Sequence, residues 1–167
     1  MKRMILILAL VFISSAVVLA AKRFTTSQSG QVNAPASAVW ALLIDAGNWA
    51  DWNPAVIESK IIKGDGESVG SVVKFLPMIG DKKAVARVKL KIAISEKPDK
   101  LEFHAKVPGA KIVFGFTISE KDGVSKVTSY ETITGFMAGR ITQENLDKEH
   151  HMWVEAIRKK LETRENL

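Results

Sequence analysis

ITQENLDKEHHMWVEAIRKKLETR, residues 141–164, decides how the rest of the chain is read. It contains no Gly or Pro and is rich in helix formers, so it is predicted to be one helix of about 36 Å. Leu146, His150, Trp153, Ile157 and Leu161 follow one another at spacings of four, three, four and four, which makes a single stripe. Asp147, Lys148, Glu155, Lys159 and Glu162 fall elsewhere on the helix, toward water. A helix this long with one apolar stripe needs a broad apolar surface to lie on.

That surface is predicted upstream, where the period is two. VIESKIIKG, VGSVVKFLP, KAVARVKLKIAISEK, LEFHAKV, AKIVFGFTISE and VSKVTSYETITG alternate in polarity and are separated by short turns, so consecutive strands should pair antiparallel. Ala86, Val88, Leu90, Ile92 and Ile94 are expected on one face of the third strand, opposite Arg87, Lys89 and Lys91. In the next two strands Leu101, Phe103, Ala105, Val107, Ile112, Phe114, Phe116 and Ile118 face inward by the same rule. A straight strand from Lys83 to Lys97 would run roughly 50 Å, which requires a strongly curled sheet. For the last strand both phases stand: Val127, Ser129, Glu131 and Ile133 inward, or Thr128, Tyr130 and Thr132.

Ahead of these strands, residues 24–33 read as a polar-alternating strand. APASAVWALLID reads as a short helix with Ser37 as a candidate cap. GNWADWNPAV, residues 47–56, reads as a second short helix or turn carrying Trp49 and Trp52. Pro54 breaks it and pushes Asn53 toward extended backbone. Both helices are too short to be stable alone and must dock on the sheet.

Composition bounds the function. Hydrophobic residues make up 47% and charged residues 25%, a globular balance. The chain has no cysteine, which excludes disulfides, a thiol nucleophile and zinc–thiolate sites. Met1-Lys2-Arg3 precedes an apolar run from Met4 to Ala21, the parts of a signal peptide (residues 1–21) or an uncleaved membrane anchor. The expected location is therefore exported or membrane-anchored, on the periplasmic side of the cell envelope. Without Lys2 and Arg3 the balance is 22 basic against 18 acidic residues, +4, a poor case for nucleic acid. Walker and GxGxxG motifs are absent. No cofactor is expected. No metal site is expected either, because His150 and His151 point about 100° apart on a helix. His151 and Glu155, four apart, are read as solvated side chains.

Strand, two short helices, six strands and a long C-terminal helix together make an α+β arrangement, the helix-grip fold. The chain resembles the START-related superfamily (SRPBCC), in particular its bacterial polyketide cyclase/dehydrase and lipid-transfer branch. VNAPASAVWALLIDAGNWADWNPAV, KIIKGDGESVGSVVKF and VTSYETITGFMAGRI carry the resemblance, which spans nearly everything from Phe24 to Leu161. It implies a sheet of about seven strands wrapped round the last helix in one domain, residues 24–164. It also implies a cavity between sheet and helix that receives a hydrophobic small molecule or lipid. The protein is expected to be a monomer and more a binder or carrier than an enzyme.

On that reading the ligand-facing residues are Trp52, Phe75, Leu90, Ile92, Phe103, Phe114, Phe116, His150 and Trp153, unless these side chains meet and pack solid. His150 is the polar member of the helical stripe. It is either a satisfied core histidine or, with Glu131 to orient it, the general base of a cyclase or dehydratase. The outward Lys60, Lys63, Lys74, Arg87, Lys89, Lys91 and Lys111 make the sheet's outer face basic. That is either a solvated face or a contact for anionic headgroups.

Overall fold

The computed structural model of the chain describes residues 23–79, 82–83, 87–136 and 141–163. The N-terminal apolar run, Ala86 and Arg164, all named above, lie outside them. The element order is β1 (Arg23–Val32), α1 (Ala36–Ile44), a 3-10 turn (Ala46–Asp51), β2 (Val56–Lys63), β3 (Val72–Ile79), β4 (Lys82–Lys83), β5 (Val88–Glu96), β6 (Lys100–Val107), β7 (Ala110–Lys121), β8 (Val124–Thr134) and α2 (Gln143–Glu162). The sheet runs β1-β8-β7-β6-β5-β3-β2 with every neighbour antiparallel, and the two-residue β4 adds to β3. This is the helix-grip arrangement: a curled, open sheet with one long helix on its inner face.

Three local expectations are corrected. Ser37 is not the cap of α1: Pro35 occupies that position without a side-chain bond, and the free Ala36 N–H donates to Glu120 Oε2 across the sheet at 2.8 Å. The long third strand is two pieces, β4 and β5. Within β5 the register with β6 shifts between Ile92 and Ile94, so Ile92 lies opposite Phe103 but Ile94 lies opposite Glu102. One extra residue in a strand reverses every side chain beyond it. Ile94 therefore leaves the inner face and Ser95, opposite Leu101, takes its place.

β8 settles its phase. Ser125, Val127, Ser129, Glu131 and Ile133 are buried, and the alternate residues are half-buried or exposed. On the outer face the Tyr130 hydroxyl donates to Glu102 Oε2 at 2.8 Å. The ring lies over Gly115, where a Cβ would sit 2.6 Å from the phenol oxygen and 2.8 Å from the Leu101 carbonyl.

α2 begins two residues later than the sequence suggests, capped by Thr142, whose hydroxyl accepts from the Asn145 N–H at 3.2 Å. Its stripe of Leu146, His150, Trp153, Ile157 and Leu161 is buried throughout. Each apolar member contributes roughly 1.5–3 kcal/mol by leaving water. The helix crosses β1 closely, since a Cβ on Gly30 would meet Val154 Cγ1 at 2.5 Å. Among the described residues no helix is long and apolar enough to cross a membrane.

Candidate functional site

Two kinds of chemistry meet where α2 faces the sheet, an aromatic cluster and a short polar chain. The cluster centres on Trp153. Trp49 meets it edge-on at 5.1 Å between ring centroids, Trp52 at 5.9 Å, Phe116 at 5.3 Å and Phe114 at 5.5 Å. Phe75 and Phe103 close the group against Phe114 at 6.4 and 5.8 Å. Phe75, Leu90, Ile92, Phe103, Phe114, Phe116 and Trp153, all expected to face a ligand, are buried together here. Their aromatic rings touch one another.

The paired indoles divide their work. Trp49 is fully buried and donates from Nε1 to the Leu43 carbonyl at 3.0 Å, pinning the 3-10 turn to the end of α1. Trp52 is half-buried and borders an open groove of about 1060 Å³ between residues 50–54 and the C-terminal half of α2. Asn53, Met152, Ala156 and Lys159 line the same groove. Among the described residues, three buried nitrogens find no acceptor: Trp52 Nε1, Asn53 Nδ2 and Trp153 Nε1. An unsatisfied buried donor costs about 1–3 kcal/mol, so three on two touching indoles and one adjacent residue form a deficit that an acceptor atom would relieve. The other end of the Asn53 amide is occupied, its Oδ1 accepting from the Ala55 N–H at 2.9 Å.

The polar chain runs from β8 to α2. His150 is fully buried, with Ser129 Oγ 2.8 Å from Nδ1 and Glu131 Oε2 3.1 Å from Nε2. A neutral ring that donates from Nε2 to the carboxylate and accepts from the serine at Nδ1 satisfies both nitrogens. The sequence pointed to His150 and Glu131, and β8 brings them together. Ser129 and Glu149 were missed, although each carried a signal. Ser129 shares the phase of Glu131, and Glu149 is three residues from Leu146 and four from Trp153, a position on the same stripe. Glu149 is buried, and burial, reinforced by the negative charge of Glu131, pushes its carboxyl well above the usual range. At the N-terminal end of α2, Asp147 Oδ1 accepts from Thr26 Oγ1 at 2.5 Å, and that bond chiefly holds its carboxyl below the usual range. Among the described residues, no group of three or more His, Cys, Asp or Glu could hold a metal ion.

Solved structures share this architecture. The Zhui aromatase/cyclase from Streptomyces sp. R1128 superposes with a TM-score of 0.66 at 16% identity, covering 86% of this chain and 96% of its own. The major latex-like protein 151 of Panax ginseng gives a TM-score of 0.71 at 14% identity, covering 83% and 97%. A START superfamily protein from Mycobacterium smegmatis gives 0.67 at 13%, covering 83% and 97%. At these identities the likeness is one of fold. No curated protein matches by sequence. The sequence does match, over residues 23–162, the family model described as polyketide cyclase/dehydrase and lipid transport, and the chain belongs to that family.

Proposed function

We propose that the protein binds a hydrophobic small molecule or lipid at the Trp52 groove, between residues 50–54 and the C-terminal half of α2, and that it acts as a carrier or sensor, not a catalyst. The observation that carries this is the pair of buried donors without acceptors on Trp52 and Asn53, two residues lining the open groove, with a third on Trp153 in ring contact with Trp52. Trp52, Met152 and Ala156 supply the apolar contact, and the Trp52 and Asn53 N–H groups, reached as the groove side chains shift, select a guest that presents a carbonyl, carboxylate or hydroxyl oxygen. The family description is consistent with such a ligand. The apolar N-terminal run supports placing this activity at the cell envelope.

The test is uptake of fatty-acid and phospholipid probes by delipidated protein, followed by native mass spectrometry. Binding at one equivalent is expected, with Trp52→Phe weakening it roughly five- to tenfold through loss of one hydrogen bond. A protein that takes up neither probe, or a Trp52→Phe variant that binds as wild type, overturns the reading.

A second reading rests on the Ser129–His150–Glu131 chain, which has the parts of an oriented general base for aldol-type cyclisation or dehydration. Both imidazole nitrogens are already engaged by protein groups, so no lone pair is presented to a substrate. In the same assay, product formation from a bound polyketide-like probe, lost in His150→Ala while uptake persists, would favour this reading.

A further inference from the structure

The outer face of the sheet carries a second feature that ligand binding does not use. Lys60 on β2 lies opposite Lys74 on β3, and Lys74 lies opposite Lys89 on β5. On β5 and β6 the pairing ends with Lys91 opposite His104; carried on by two residues, the same register would bring Lys89 beside Lys106. Lys106 lies opposite Lys111 on β7, Lys111 opposite Thr134 on β8, and Thr134 opposite Arg23 on β1. The sequence shows a scatter of outward lysines, but strand pairing sorts them into two runs, Lys60–Lys74–Lys89 and Lys106–Lys111–Thr134–Arg23, which the β5–β6 register lines up end to end.

Like charges directly opposite each other destabilise a sheet, so the row works against folding. One carboxylate offsets it locally: Glu58 holds Lys74 at 3.1 Å and also Arg87. Among the described residues Lys60, Lys89, Lys106, Lys111 and Arg23 lie beyond ion-pair distance of any carboxylate.

The row also has a particular place. Lys89 is the second residue of β5, Lys106 the next to last of β6 and Lys111 the second of β7; Thr134 ends β8 and Arg23 begins β1. From β5 to β1 it therefore follows the ends of the strands, round one rim of the curled sheet. A flat surface touches a convex wall along a line, but it meets a rim all the way round. Phe136, two residues past the end of β8, is 71% exposed at the same rim. β1 begins there too, at Arg23, which in sequence directly follows Lys22 and the apolar run of residues 4–21.

We infer that this rim docks on a membrane surface rich in anionic lipid, with Lys89, Lys106, Lys111 and Arg23 on the headgroups and Phe136 at the interface. Cations near such a surface each add roughly fivefold to affinity at physiological salt, and an exposed aromatic suits the headgroup layer. The inference stands apart from ligand binding, since none of these residues lines the groove.

The experiment is flotation of the full chain with vesicles of phosphatidylcholine alone or with 30% phosphatidylglycerol, at low and high salt. The apolar segment contributes to both compositions, so the ratio of the two affinities isolates the rim. Wild type is expected to prefer anionic vesicles, and to lose the preference as salt rises. Lys89→Gln/Lys106→Gln/Lys111→Gln should lower the ratio roughly a hundredfold while leaving probe uptake intact. Lys63→Gln/Lys121→Gln/Lys126→Gln removes the same charge from strand ends away from the row and should keep the ratio near wild type. Equal loss in both triple variants would reduce the effect to net charge and overturn the assignment. So would no loss in either, or binding of duplex DNA without any preference among vesicles.

Discussion

Glu149 shows how far one side chain can be from the role its type suggests. On the exposed face of α2 it would be one more helix-forming acid; on the stripe it is buried beside Glu131 and its carboxyl is held well above the ordinary value near 4.5. Because folding raises this pKa, its contribution to stability is full below the unfolded value. That contribution falls away as pH rises from about 4.5 toward the folded value. Glu149→Gln keeps the shape and removes the titration. The variant is expected to match or trail wild type at pH 4.5 and to exceed it at pH 8, read by urea unfolding at the two pH values. A wild-type advantage at pH 8 would mean that the carboxylate is paired when charged. His150 is legible in the sequence as a lone polar member of an apolar stripe, but not its fate. Its two partners lie on β8, whose sequence fits either phase, and pairing with β1 and β7 makes the choice.

Among the elements, α2 holds the molecule together most directly, since its buried stripe is shared between the aromatic cluster and the polar chain. Its start depends on Thr142, whose hydroxyl satisfies the Asn145 N–H. Thr142→Ala is expected to cost about 1 kcal/mol, measured as a lower urea midpoint with unchanged slope. A change in slope would show instead that the helix N-terminus unfolds separately. The sheet illustrates the limit of pattern reading. Alternation is legible through Ile92, but the extra residue before Ile94 is invisible in a sequence where Ala93, Ile94 and Ser95 are all compatible with either face. A bulge is a property of two strands in register, and a single strand does not display it.

For the molecule as a whole, ligand binding and stability are linked. A guest that binds only the folded state raises its stability by roughly 2.7 kcal/mol at a hundred times its Kd. Delipidated protein is therefore expected to melt several degrees below probe-loaded protein, with the difference growing as probe concentration rises. An identical melting temperature at saturating probe would show that the probe adheres without entering the fold. Both the groove and the basic rim belong to this scale, because each is assembled from segments remote in the chain. Residues 50–54 meet 152–163 in the groove, and Arg23, Lys106, Lys111 and Thr134 share the rim.

The sequence by itself determined the order of the elements, the inner residues of β6 and β7, the stripe of α2 and the family of the fold. All of these rest on local periodicity and on short turns that leave few topologies open. Tertiary structure alone decided the phase of β8, the exit of Ile94, the partners of His150, the burial of Glu149 and the different roles of Trp49 and Trp52. It also decided that scattered lysines stand in a row. These depend on register between strands and on how closely one helix approaches the sheet. Those distances are fixed by packing across the fold, and no window along the chain contains them.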